Sequence, residues 1–187
     1  MRLFLAINLP DDVRRDIVAA TAAVRDAAPE LSWVDEAKIH LTLKFLDDQP
    51  EERAEAIRRA AEQVGARHRQ LMMHVGGLGA FPNFRRSRVV WIGVEQESRL
   101  ELLHHDVEVA CSDLGFDVEG RPFRPHITLA RVKHRLPEER ARALLRAARR
   151  VEYTADVLVR SLDLMRSELA PGGSRYSTVA TAPLRSE

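Results

Sequence analysis

The chain has 187 residues, enough for one medium domain or two small lobes with a real core, and its apolar (45%) and charged (30%) fractions are those of a folded globular protein. Twenty-nine Lys and Arg against twenty-eight Asp and Glu argue against a broad basic face for duplex nucleic acid, while leaving room for a local positive cleft. The single cysteine, Cys111, excludes an intrachain disulfide and a Cys-based zinc cluster; no apolar run approaches the length of a membrane span, so the expectation is a soluble, cytoplasmic protein.

Leu3 to Asn8 reads as a buried strand stopped by Leu9-Pro10. Asp11 or Asp12 then caps a helix with Val13, Ile17, Ala20 and Val24 on one face, and Pro29 lies past its end. Trp33-Val34 and Ile39 to Leu46 are extended. Pro50 opens a second helix to about Gln63, with Gly65 after it. Leu71 to Val75 is strand-like, and Gly76 to Phe84 reads as a Gly/Pro/Asn loop. Val90 to Val94 is a strand, Ser98 to Leu114 a helix ending at Gly115 and carrying Cys111 on its buried side, and Pro125 to Ala130 a strand. A helix from Pro137 follows, then two long strands near Glu152 to Glu168 and Arg175 to Pro183.

This order repeats. Val90-Trp91-Ile92-Gly93-Val94 restates Leu3-Phe4-Leu5-Ala6-Ile7 at an offset of 87, and His126-Ile127-Thr128-Leu129 restates His40-Leu41-Thr42-Leu43 at 86. Nine of the twelve residues Pro137 to Ala148 are identical to Pro50 to Ala61, again at 87. The reading is an α+β single domain, 1–187, of two βαβα lobes related by an approximate two-fold axis, with repeats of about 2–75 and 88–168. The lobes intertwine. Each carries a mainly antiparallel sheet with helices on its outer face, and the sheets flank a central cleft.

Successive strand residues face opposite ways, so Ile39, Leu41 and Leu43 point toward the helices and His40 and Thr42 toward the cleft; Ile127 and Leu129 oppose His126 and Thr128 likewise. Two imidazoles on opposite sides of a two-fold suit in-line displacement at phosphorus, which needs a proton taken from the attacking oxygen and one given to the leaving oxygen. The threonine hydroxyls can donate to the non-bridging oxygens. Zinc chemistry fits worse, because no third ligand stands near either motif. Phe4 and Trp91 are repeat-equivalent and share parity with Ala6 and Gly93, as an aromatic floor for a base would, worth about 1–3 kcal/mol per stacked base. Strict alternation also turns Lys44 to the cleft. His68, His74, His104 and His105 read as inert surface groups, and His134 follows the second motif closely enough to reach the cleft.

With these motifs the chain resembles the 2H phosphoesterase superfamily, defined by two His-x-Thr-x motifs in a duplicated fold, and within it the RNA 2′,3′-cyclic phosphodiesterases first described as 2′-5′ RNA ligases. The similarity runs from Arg2 to Ile7 with Leu9-Pro10, through Trp33-Val34, His40 to Leu46, Arg88 to Val94 and Phe123 to Arg131, to Ser167–Leu169, Gly173, Tyr176 and Pro183-Leu184. It implies hydrolysis of the cyclic ester to a 2′-phosphomonoester without metal or cofactor, and a slow reverse ligation. It implies His40 as proton donor, His126 as proton acceptor, and Arg131 as a phosphate contact, although strict alternation sends Arg131 to the wrong face. The implied partners are RNA 3′ ends bearing a 2′,3′-cyclic phosphate, tRNA fragments among them, with no obligate protein partner. Asp47-Asp48 stands where the family often has Gly. Two alternatives remain: a 2H relative acting on 2′,5′-oligoadenylate or a small cyclic nucleotide, and a non-catalytic RNA-end binding protein, which loss of a motif residue would favour.

Overall fold

A computed structural model describes residues 1–186. The apolar alternation of the sequence becomes a curled, almost wholly antiparallel sheet built from β1 (Arg2–Asn8), β3 (His40–Asp48), β4 (Leu71–Phe81), β5 (Val89–Val94), β6 (His126–Arg131), β7 (Thr154–Val159), β8 (Ser161–Ala170) and β9 (Gly173–Pro183), with the two-residue β2 (Ser32–Trp33) beside β6. The strand order is β7-β4-β5-β6-β3-β1-β8-β9. It is symmetric about the β6-β3 junction, where β5 answers to β1, β4 to β8 and β7 to β9. Each half therefore takes one strand from the other repeat: β4 flanks β5 and β8 flanks β1. The two four-stranded halves join through the pair Leu41↔Ile127.

The helices lie on one face. From α1 (Asp11–Ala20), α3 (Glu51–Arg67) and α4 (Ser98–Asp113), residues such as Ile17, Ile57, Val64, Leu103 and Val107 pack against Leu3, Leu5, Ile7, Leu41, Leu43, Ile92 and Ile127 of the sheet. Val24 of α2 (Ala22–Ala27) and Leu144 of α5 (Glu138–Arg149) bury Val90 and Ala130 in a second cluster. Phe4, Ala6, Met165 and Tyr176 form a small cluster on the opposite face. Cys111 is buried in α4 as expected, and desolvation pushes its thiol up to about 11.

Four boundaries differ from expectation. The first helix is broken at Thr21, whose hydroxyl donates to the Ile17 carbonyl at 2.7 Å and competes with the helical bond pattern. Gly65 lies inside α3; a Cβ there would stand 2.9 Å from the Pro183 carbonyl oxygen, so its role is close approach to β9 rather than helix termination. The expected loop from Gly76 is largely strand. β4 continues to Phe81 past an irregularity between Val75 and Leu78, where Gly77 takes φ +73°. The long strand near 152–168 is two strands, and Arg160 separates β7 from β8, which lie in opposite halves of the sheet.

Candidate active site

The two His-x-Thr strands meet where the halves join. Stepping one residue from the antiparallel Leu41↔Ile127 pair sets His40 abreast of Thr128 and His126 abreast of Thr42, so the four polar side chains converge on the face away from the helices. All four are half-buried. The imidazoles are held alike. His40 Nδ1–H donates to the Lys38 carbonyl at 2.7 Å, and His126 Nδ1–H donates to the Arg124 carbonyl at 2.8 Å, in each case two residues upstream. A carbonyl only accepts, so this bond selects the tautomer and leaves Nε2 of both rings for proton transfer. Nε2 of His40 lies 2.9 Å from the Thr42 hydroxyl.

A repeated irregularity explains the residues after each motif. Pairing jumps from Ala6↔Thr42 to Leu5↔Lys44 in one half, and from Trp91↔Thr128 to Val90↔Ala130 in the other, which leaves Leu43 and Leu129 as extra residues at the same repeat position. Each bulge restarts the alternation. Arg131 is thereby returned to the His126 face, where its charge acts on His40. The same shift corrects the expectation for Lys44. It turns to the helix side, 9% exposed, where its Nζ donates to Glu108 Oε2 at 2.8 Å and to the Asp117 carbonyl at 2.6 Å. Phe45 takes the place repeat-equivalent to Arg131 and is 58% exposed. Asp47 adopts φ +54°, a left-handed conformation that explains why glycine suits this position.

Phe4 and Trp91, expected as a floor for a base, each lie beside one histidine ring. Phe4 is only 3% exposed, with its ring 5.0 Å from His40, 6.1 Å from Phe45 and 5.3 Å from Tyr176; it supports His40 and offers no free face to a base. Trp91 packs over Gly79, where a Cβ would meet the indole at 2.2 Å, and lies 6.3 Å from His126. Sequence reasoning missed Phe81, which meets the His126 ring edge-on at 4.9 Å, because it fell in the supposed loop. It also missed Arg14. That guanidinium donates to the Ile39 carbonyl at 2.9 Å and to Asn8 Oδ1 at 3.0 Å, and it lines a cavity of about 310 Å³ beside His40 with Lys38, Tyr176 and Thr178. No spacing in α1 signalled it.

Burial holds the His40 imidazole below its ordinary range; the Lys38 carbonyl opposes the shift, and the nearby Arg14 and Arg131 charges add to it. The remaining histidines serve packing and surface pairs. His68 meets Asp106 at 2.7 Å, His74 pairs with Asp156 across β4 and β7, and His104 stacks on Phe123 at 3.8 Å. His105 and His134 are exposed. Among the described residues no three of His, Cys, Asp and Glu gather where they could hold a metal ion, and no helix is long and apolar enough to cross a membrane.

A duplicated antiparallel sheet that presents two Nε2 atoms and two threonine hydroxyls to one cleft defines a two-histidine phosphoesterase architecture. Comparison with known proteins agrees. The family model described as the 2′-5′ RNA ligase superfamily matches residues 9–170, and the chain belongs to that family. An RNA 2′,3′-cyclic phosphodiesterase of Thermus thermophilus is 34% identical over an alignment covering 100% of this chain and 92% of that protein. One of Geobacillus stearothermophilus is 35% identical over 128 residues, 68% of this chain and 41% of that longer protein. The crystal structure of Escherichia coli LigT complexed with 3′-AMP superposes with a TM-score of 0.75 at 27% identity, over 98% of this chain and 97% of that one.

Proposed function

We propose that this chain hydrolyses RNA 2′,3′-cyclic phosphate ends to 2′-phosphomonoesters by metal-independent acid–base catalysis, with His40 as proton donor and His126 as proton acceptor. The observation that carries the reading is the matched pair of Nδ1–H bonds to the Lys38 and Arg124 carbonyls, which prepares both Nε2 atoms for the same work. Relatives described as RNA 2′,3′-cyclic phosphodiesterases supply the substrate class.

In the forward step a water oxygen bonds to phosphorus as His126 Nε2 takes its proton, and the P–O3′ bond breaks as His40 Nε2 gives a proton to O3′. The 2′ ester remains. A 5′-hydroxyl in place of water would form a 2′,5′ linkage by the same step, which is the ligation this family is named for. Thr42, Thr128 and Arg131 stabilise the non-bridging oxygens as charge grows on them. Burial and two guanidinium groups disfavour protonated His40, and the negative charge of a cyclic phosphate would oppose that shift.

The test is to incubate the protein, with EDTA present, with oligonucleotides ending in 2′,3′-cyclic phosphate, and to identify the products. The expected result is a 2′-phosphate, with His40→Ala and His126→Ala each folded and slower by roughly 10²–10⁴-fold. A 3′-phosphate product, loss of turnover on chelation that a divalent ion restores, or near-normal rates in either variant would overturn the reading.

A further inference from the structure

Two short segments concentrate positive charge, of which the cleft chemistry uses only Arg131. Phe84-Arg85-Arg86-Ser87-Arg88 leads into β5, and Arg131-Val132-Lys133-His134-Arg135 leads out of β6. The fold holds them side by side: Val89 pairs with Arg131, and Val132 N–H donates to the Arg88 carbonyl at 2.9 Å. Arg85, Arg86, Arg88, Lys133, His134 and Arg135 are all exposed, and neither segment contains an acid. Glu138, the nearest carboxylate along the chain, is taken by Arg142 at 2.7 Å. A depression of about 380 Å³ opens between Arg85 and Arg135. In a chain of 29 cations and 28 anions, this is a local excess that Glu138, which also lines the depression, does not balance.

We propose that this surface holds the phosphate backbone of the RNA strand upstream of the reacting cyclic phosphate, which makes an oligonucleotide end a better substrate than a mononucleotide. The proposal rests on the functional reading above and adds a path for the rest of the strand. In-line chemistry puts the leaving O3′, and the ribose that carries it, on the His40 side of phosphorus. The strand register puts His40 abreast of Thr128, and β6 runs from there to Arg131 and directly into the patch. The polynucleotide therefore leaves the cleft on the side where the cations lie. Phe84, the one aromatic in either segment, is committed to the core with Leu136 and Leu144. The surface accordingly reads phosphates and not bases, and its binding is independent of sequence and sensitive to salt.

The experiment compares wild type with the triple variant Arg85→Gln, Lys133→Gln, Arg135→Gln. Substrates are uridine 2′,3′-cyclic phosphate and a decaribonucleotide with the same end. The variant should raise KM for the decamer by about tenfold or more at low salt and reduce the slope of log KM against log salt by about 2, since each lost contact contributes about 0.7 on a single strand. Turnover of the mononucleotide should not change. Equal decamer KM and salt slope in the two proteins would overturn the patch. If wild type turned over neither substrate, the functional reading would fail instead. Fluorescence anisotropy of a labelled 2′-phosphorylated decamer would then still decide this proposal, which requires weaker binding by the variant and is overturned by equal binding.

Discussion

His40 and His126 carry the same backbone bond, and the surroundings of His40 set the pH behaviour expected of it in its proposed role as acid. Burial first, then Arg14 and Arg131, hold His40 below the ordinary imidazole value of about 6.5, and the acid role needs it protonated. The rate constant kcat/KM, which reports the free enzyme, should therefore fall on the alkaline side from a pH below 6.5. Arg14→Gln removes one of the depressing charges and should move that limb to higher pH; a pH–rate profile of the variant checks it. Stability follows with the corresponding sign. Between the depressed folded value and 6.5 the unfolded chain binds more protons at His40, so stability rises with pH across that window, and His40→Asn should flatten this part of the melting profile. Neither measurement says which histidine is the acid. An aryl phosphodiester accepted by the cleft loses its leaving group without protonation, so it should recover most of its rate in His40→Ala and little in His126→Ala. Recovery in the other variant would exchange the roles.

The bulges at Leu43 and Leu129 decide which side chains reach the cleft, and they also tie the first motif strand to the second. Lys44, turned to the helix side, grips the irregular loop between α4 and β6. Besides its own bond to the Asp117 carbonyl, its partner Glu108 accepts from the Glu119 N–H at 3.2 Å, and Phe123 stacks on His104. The loop ends at Arg124, whose carbonyl orients His126. Lys44→Met should loosen this loop and leave Glu108 buried without its ion partner, which costs about 3–5 kcal/mol. Pairing it with Glu108→Leu should recover much of the stability, because the buried charge is gone. Turnover should stay depressed in both with KM less affected, because His126 loses its fixed tautomer; melting temperatures and kcat measured on the two variants separate the effects. Full recovery of kcat along with stability would show that the ion pair acts on folding alone.

Across the whole molecule, the exchange of β4 and β8 between halves makes the repeat a poor guide to what folds alone. Residues 1–87 contain β1 and β3 of one half but β4 of the other, and both β8 and β9 are missing from that fragment. The fragment would leave the edge of β1 from Arg2 to Ala6 without its β8 partner. We expect fragments 1–87 and 88–187 to show little native circular dichroism singly and to regain it, with activity, when co-expressed. A well-folded 1–87 fragment would contradict the exchanged arrangement.

Much of this protein was legible in its residues: the repeat offset, the two His-x-Thr strands, their parity, and the helices that begin after Pro50 and Pro137. These are local matters of period two, period 3.6 and capping, and the repeat made them visible twice. Parity failed just beyond each motif, at Lys44 and Arg131, because a bulge arises from pairing with a neighbouring strand and leaves no mark in the strand's own alternation. Gly65 was misread for a similar reason, since its close partner, the Pro183 carbonyl, lies 118 residues away. Phe4 and Tyr176 could be seen as aromatics, but which of them keeps a free face depended on how His40 and Phe45 cover the floor. The chemistry of the site was therefore written in short segments, whereas the exchange of strands, the depressed His40 proton affinity and the cationic surface beside Arg131 came from contacts between residues far apart in the chain.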